Sequence, residues 1–343
     1  MLNIRAPAHG STTHQGATTV ARDSTPRNEH GPVRQRFPSR LVYEAARLYY
    51  LEDATQAEIA RRIGTSRPTV SRLLAAARET GIVEVRVRDP EHGAAADLER
   101  RLISSLGLTS AYVTPSARGV EPGVLLAPRV VEALAAAQLR AGDVLIVSSG
   151  ATVYTVAQQS LPAMPGVVLC PTVGGVEEPE PQYQTNEITR ALAFKVQGNP
   201  VMLYAPAMPT PSLHRVLVKD PQVQRVHNLW DRADAALLGI GAPPHRRWSL
   251  PSVISAHEEA MQAAVGDICA RPYDRDGQPI DFPGSERLIA ITLDGLRRIP
   301  HTIGVGVGAD KVESIRVAVR AGYVKVLVTD TATAELLLSG DEV

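Results

Sequence analysis

Residues 55–80, TQAEIARRIGTSRPTVSRLLAAARET, read as two short helices joined by a tight turn. Thr55 followed three residues later by Glu58 is a capping box, in which hydroxyl and carboxylate satisfy free backbone N–H groups at a helix start. Ile59, Ala60 and Ile63 give that helix one apolar stripe, and Gly64 falls where a left-handed residue closes a helix before Thr65. Ser66 is placed to cap a second helix, and Pro68 in its first turn removes an N–H that has no intrahelical partner there. Val70, Leu73, Leu74 and Ala77 recur at i, i+3, i+4 and i+7, which predicts the inward face and leaves Pro68, Arg72, Ala75 and Glu79 roughly opposite. Arg72 then points outward between Thr69 and Ser71, with Arg67 at the helix tip. With Thr55 and Gln56 at the start of the first helix, these groups suit hydrogen bonding to base edges and phosphates of double-stranded DNA.

The following run IVEVRVRD alternates Val83, Val85 and Val87 with Glu84, Arg86 and Arg88, the pattern of a short β-ribbon with one charged face. Helix pairs with short Gly-containing turns also occur in all-α domains whose polar faces are merely solvated. A β-wing beside the helices, and clustered arginines that include Arg86, favour the DNA reading.

The chain has 343 residues, enough for two or three domains, and a formal net charge of zero. Arg outnumbers Asp plus Glu over residues 1–88, so the basic end coincides with the two-helix unit and suits attraction to phosphates. Cys170 and Cys269 show no paired spacing and no His cluster, which supports buried free thiols and neither a disulfide framework nor a zinc site. Arg129 and Glu132 interrupt the longest apolar run, and the N-terminus lacks the apolar core of a secretion signal, so a cytoplasmic protein with no membrane partner is expected.

Residues 1–38 are rich in Ser, Thr, Pro, Gly, His and Arg without apolar periodicity, and are expected to be a disordered tail. Residues 39–89 then form a winged helix-turn-helix domain, opened by a supporting helix with Leu41, Ala45, Leu48 and Tyr49 on one face. Residues 90–107 carry Leu98, Leu102, Ile103 and Leu106 at helical spacing and are expected to link domains or pair with a partner chain. Over residues 108–343, apolar runs at 111–114, 144–148, 167–171, 201–204, 235–239, 288–292, 303–307 and 324–328 read as strands. Amphipathic stretches at 124–139, 151–160, 184–197, 253–264, 309–321 and 331–338 fall between them, which predicts an α/β domain with a doubly wound parallel sheet. In such sheets ligands bind beyond the carboxyl ends of the strands.

The strand-end loops carry the candidate chemistry. Ser148, Ser149, Gly150, Ala151 and Thr152 place small and hydroxyl-bearing residues at a helix N-terminus, where open amides suit a phosphate-sized anion. Plain helix capping explains the same residues equally well, and the GxxxxGK[ST] nucleotide loop is absent. A second Gly-rich loop, GVGVGADK, ends in Lys311, one of four lysines in the chain. Gly174 and Gly175, Asn186 with Arg190 one turn on, the turn 239–241, and Gly266 with Asp267 complete the set. No catalytic residue set, metal cluster or cofactor loop is evident.

Residues 39–339 resemble the SorC family of sugar-responsive bacterial transcription regulators, grouped with DeoR-type regulators. The stretches QAEIARRIGTSRPTVSRLLAAARETGIVEV, SSGATV, ADAALLGIG, AVGDICARPYDRDGQP and VGADKVESIRVAVRAGYVKVLVTDTATAELLL carry the likeness. The resemblance implies an effector domain akin to sugar-phosphate isomerases and deaminases that binds a phosphorylated sugar or polyol without transforming it. It implies that Ser148, Gly150 and Thr152 hold phosphate, that Lys311 neutralises it, and that Asn186 and Asp267 contact hydroxyls. It also implies a homodimer or homotetramer on a two-fold operator. One departure is Ile146, which stands where the first Gly of the family's G-x-S-x-G-x-T loop is expected. The alternative reading is a sugar-phosphate isomerase or deaminase with an accessory DNA-binding domain. That enzyme needs a general acid–base cluster near the turn 239–241, where the sequence offers His245 with no adjacent carboxylate.

Overall fold

The computed structural model describes residues 37–80, 82–83, 90–176, 181–244 and 259–340. The expected wing with Arg86, most of the N-terminal tail, His245 and the first part of the helix expected at 253–264 lie outside the described residues. The chain divides into two compact units between Val87 and Arg88.

The first unit contains three helices: α1 (Ser39–Tyr50), α2 (Gln56–Arg62) and α3 (Arg67–Glu79). The Thr55–Glu58 capping box is formed in both directions, with the Thr55 amide donating to the Glu58 carboxylate at 2.9 Å. These hydrogen bonds from Thr55 hold the Glu58 carboxyl below the usual carboxylate range. Gly64 adopts φ 66°, the left-handed turn read from the sequence. Val70, Leu73, Leu74 and Ala77 are buried with Ile59, Ala60, Val42, Ala45 and Leu48 in one core. Two details differ from expectation. Tyr49 is 37% exposed and Val42 and Ala46 take the inward face of α1, while Phe37, assigned to the tail, packs against this core.

The second unit is built on a seven-stranded parallel sheet. Its strands are β1 (Ser110–Thr114), β2 (Val144–Val147), β3 (Val168–Pro171), β4 (Asn199–Pro200), β5 (Ala235–Gly239), β8 (His301–Val305) and β9 (Val326–Asp330). Between β5 and β8 lies an antiparallel hairpin, β6 (Gly266–Ile268) and β7 (Arg271–Tyr273). The spatial order is β1-β9-β8-β5-β2-β3-β4, with every pair parallel.

Side chains alternate across the sheet as a strand period of two requires. Leu145 and Val147 enter one apolar layer beneath α5 (Pro122–Ala136), α6 (Ala151–Gln158) and α7 (Thr185–Val196). Val144 and Ile146 enter the opposite layer. That layer is covered by α4 (Pro90–Leu106), α9 (Pro221–Asp231), α10 (Leu293–Arg298), α11 (Val312–Arg320) and α12 (Thr331–Ser339). A further short helix, α8 (Pro211–Leu217), buries none of its residues.

Several expected elements are corrected. The helix expected within 90–107 is α4, which starts at Pro90 and buries Ala95, Leu98 and Leu102 in the sheet's core. Residues 201–204, expected as a strand, form none; the edge strand β4 is the preceding pair Asn199–Pro200. Residues 288–292 form no strand but a buried packing segment with one isolated bridge, Val173 to Ala290. The hairpin and helices α8 to α10 were not anticipated, and residues 259–263 form a 3-10 turn. The hairpin turns through Cys269 (φ 55°) and Ala270 (φ 59°), two non-glycine residues in the left-handed region, as a two-residue type I′ connection demands. Among the described residues no helix is long and apolar enough to cross a membrane.

Cys170 and Cys269 are both free and buried, and burial pushes each thiol up to about 12. Since the thiolate is the reactive form, neither should react with an aromatic disulfide reagent at pH 7.5 in the native state, and both should react in denaturant. Rapid stoichiometric labelling of the folded protein would contradict this packing.

Candidate functional site

The strand order places a reversal between β2 and β5. From β2 the chain steps outward to β3 and β4; from β5 it steps the other way to β8 and β9. Crossovers from these neighbours leave on opposite faces, so the carboxyl ends of β2 and β5 form the topological switch point at which α/β sheets take ligands.

Ser148 closes the seam. Its amide donates to Leu237 O at 3.0 Å, and its hydroxyl accepts from the Gly239 amide at 2.8 Å while donating to Ser149 O at 3.2 Å. Gly150 follows at φ 113°, ψ 155°, a conformation available to glycine alone, and caps α6 without any side-chain hydrogen bond. The amides of Ala151, Thr152 and Val153 in the first turn of α6 therefore have neither intrahelical nor capping partners. Ile146 lies within β2 with its side chain in the apolar layer, so the departure from the family's glycine pattern leaves these amides unobstructed.

Two further loops meet this edge. After β5, the Gly241 amide donates to Asp267 O at 3.0 Å, which fixes the hairpin and the buried Asp267 beside the turn. Ser314, one turn into α11, donates to Gly241 O at 2.6 Å and pins the start of that helix to the same turn. Lys311 closes the 3-10 turn (Ala309–Lys311) just before α11. Gly308 in that loop has φ 118°, ψ 147°, nearly the geometry of Gly150, and its amide donates to the Thr333 hydroxyl at 2.9 Å. The fold thus brings Ser148, Ser149, Gly150, Ala151, Thr152, Asp267 and Lys311 to adjoining loops on one edge.

The remaining expected residues serve the framework. The Asn186 side-chain amide donates to Leu203 O and accepts from Leu203 N–H, each at 3.1 Å, so it anchors the chain after β4. Gly174 lies where an added Cβ would meet Ala205 O at 2.6 Å; its role is close backbone approach. Arg190 forms an exposed ion pair with Glu187 at 2.8 Å on the outer side of α7. Thr172, directly after β3, and Thr185, first in α7, stand out only in the fold. Both hydroxyls are buried without an oxygen or nitrogen partner, and Thr172 has only the weakly bonding Cys269 thiol beside it. Neither position shows in the sequence, because nothing local distinguishes an unsatisfied threonine from a capping one.

In the first unit, Arg67, Pro68, Ser71 and Arg72 are exposed on α3 and Thr69 is half-buried. Arg67 and Arg72 have no ion-pair partner among the described residues, which leaves their guanidinium groups available. The hydroxyls of Thr55, Ser66 and Thr69 are committed to capping: Ser66 Oγ and Thr69 Oγ1 lie 2.9 Å apart, and Thr55 is held by Glu58. A groove of about 780 Å³ lined by Tyr49, Tyr50, Thr55, Gln56 and Arg67 runs beside the helix starts. Helical spacing places Tyr49 in the core, whereas both tyrosine rings are exposed and line this groove.

Comparison with known proteins agrees with both halves. A sugar-binding domain family (Sugar-bind) matches residues 91–339, and the MarR family matches residues 46–95. The chain is 33% identical over 317 residues to the sorbitol operon regulator of Klebsiella pneumoniae, spanning 87% of this chain and 98% of that protein. It is 32% identical to the deoxyribonucleoside regulator of Bacillus subtilis, covering 89% and 99% respectively. The crystal structure of full-length SorC from Klebsiella pneumoniae superposes with a TM-score of 0.66 at 31% identity, over 88% of this chain and 99% of that one. A helix-turn-helix unit followed by this sheet, matched along nearly the whole length of such regulators, makes the chain a member of the SorC family of sugar-binding transcriptional regulators.

Proposed function

We propose that the protein binds a two-fold DNA operator through α3 and that a phosphorylated sugar or polyol, seated at the β2–β5 crevice, sets its operator affinity. The observation that carries the effector half is the uncapped start of α6 at Gly150, lying on the edge that also holds Lys311 and Asp267. Open amides and the positive end of a helix favour a phosphate, the lysine adds a full positive charge, and the buried carboxylate suits sugar hydroxyls. Relatives named a sorbitol operon regulator and a deoxyribonucleoside regulator support a sugar-derived effector.

The protein acts as a homodimer or homotetramer in the cytoplasm, where its DNA target lies. Effector binding favours one quaternary arrangement, and a coupling of about 1 to 3 kcal/mol suffices to switch operator occupancy. The experiment is a thermal-shift screen with glucose 6-phosphate, ribose 5-phosphate, deoxyribose 5-phosphate and their unphosphorylated counterparts, followed by operator binding with and without the hit. A melting-temperature rise confined to phosphorylated compounds, together with altered operator affinity, is expected. Stabilisation without any change in DNA binding would leave a constitutive DNA-binding module instead.

Three substitutions separate the parts. Gly150→Val forces a β-branched residue into a glycine-only conformation, at about 1 to 3 kcal/mol, and should abolish the effector response while operator binding persists. Lys311→Ala should weaken phosphorylated ligands at least tenfold with little effect on DNA. Arg72→Ala should reduce operator-specific affinity by roughly 10- to 100-fold, the value of a good base contact, and leave the effector-induced thermal shift intact. Loss of both responses in Arg72→Ala would show that Arg72 supports the fold.

A further inference from the structure

A cleft of about 290 Å³ lies on the helical face of the second unit, between α9 and α10, with the 288–292 segment as its floor. None of its lining residues belongs to the loops around Ser148, Gly241 or Lys311. Its chemistry comes from His214, His227, Trp230, Asp231, Arg271 and Arg298.

Arg271 is the unusual member. Its guanidinium is largely withdrawn from water, with Nε donating to Ile291 O at 2.7 Å and Nη2 to Ala290 O at 3.0 Å. No carboxylate of a described residue lies within ion-pair distance, and Asp281 acts on it only from farther away. A charge held by carbonyl dipoles alone is incompletely compensated, and Nη1 still has two N–H groups to donate.

The imidazoles add to this. His227 stacks on Trp230 with ring centroids 4.8 Å apart at 27°, and Trp230 is fixed by its own bond from Nε1 to Pro171 O at 2.8 Å. The stacked ring holds its Nε2 buried with no hydrogen-bond partner. Native structures rarely leave such an atom unsatisfied unless something else fills the place. Asp231, the carboxylate in the cleft, already faces Arg298 at 3.8 Å. A cation is disfavoured by the guanidinium in the wall, and no group of His, Cys, Asp or Glu among the described residues could hold a metal.

We propose that this cleft is a second binding site on the effector unit, for a small oxyanion, a carboxylate or a phosphate, received by Arg271, Arg298 and the two imidazoles. Its volume is at the small end of ligand pockets, about 300 Å³, which fits an anion of few heavy atoms and excludes a nucleotide.

The chain has two tryptophans, Trp230 and Trp248. In full-length protein carrying Trp248→Phe, titration with inorganic phosphate or with malonate at constant ionic strength should change Trp230 fluorescence saturably, with Kd on the order of 1 mM. Calorimetric titration of the unsubstituted protein gives a second readout if that variant folds poorly. Arg298→Gln and His214→Gln, both near the rim, should each weaken binding at least fivefold, whereas Gly150→Val should leave it unchanged. Tetramethylammonium at the same concentration should give no response. Absence of saturation with both anions, or saturation indifferent to Arg298→Gln and His214→Gln, would overturn the proposal. Loss in Gly150→Val alone would also overturn it, because the anion would then be bound at the α6 loop. A phosphorylated sugar that still acts when Arg298 and His214 are replaced leaves the effector site standing whatever happens in this cleft.

Discussion

The effector unit depends on the reversal of strand order between the parallel neighbours β2 and β5 and on the hydroxyl that seals it. Ser148 both accepts from the Gly239 amide and donates to its neighbour's carbonyl, so one small side chain joins two strands whose crossovers diverge. An amide shielded from water and stripped of such a partner loses roughly 1 to 3 kcal/mol. With the seam closed, the loops after β2, β5 and β8 are held side by side, and each contributes a different chemistry: open amides, a buried carboxylate, a lysine.

The same edge is stiffened farther out by hydrogen bonds between loops. Gly308 leans on Thr333, Asp330 caps α12 through the Thr333 amide, and Ser116 after β1 donates to Asp330 at 2.6 Å. Gly150 and Gly308 repeat one backbone conformation two strands apart, each turning a strand directly into helical structure without a side-chain cap. A ligand at this edge meets pre-set backbone, so little ordering is required on binding.

Much of this was legible in the residues. The capping box at Thr55 and the inward set Val70, Leu73, Leu74 and Ala77 are local patterns, and the three-helix core follows them. Strands β2, β5 and β9 read correctly because buried parallel strands are continuous apolar runs bounded by turn residues. The same cue misled at 288–292, where an equally apolar run is buried as irregular chain beneath the hairpin and shares one bridge with Val173. Periodicity reports burial and not strand pairing, so it could not separate the two. The hairpin escaped notice because its turn carries Cys269 and Ala270 instead of the Asn-Gly or Gly-Gly that signals a type I′ connection. Asn186 and Gly174 were plausible ligand contacts by position, yet the partners that commit them, Leu203 and the 205–207 backbone, are distant in sequence and follow only from the fold.

That hairpin turn has a mechanical meaning. Cys269 belongs to the main apolar layer, whereas Ala270 belongs to the satellite cluster with Phe282, Met261 and Leu288. Glycines would relieve the left-handed backbone but would withdraw a side chain from each cluster, so the strain is the toll for a rivet through two cores. The 288–291 segment ties the same two clusters, with Leu288 and Ala290 in one and Ile289 and Ile291 in the other, so the turn and that segment clamp the cores together two positions after Asp267.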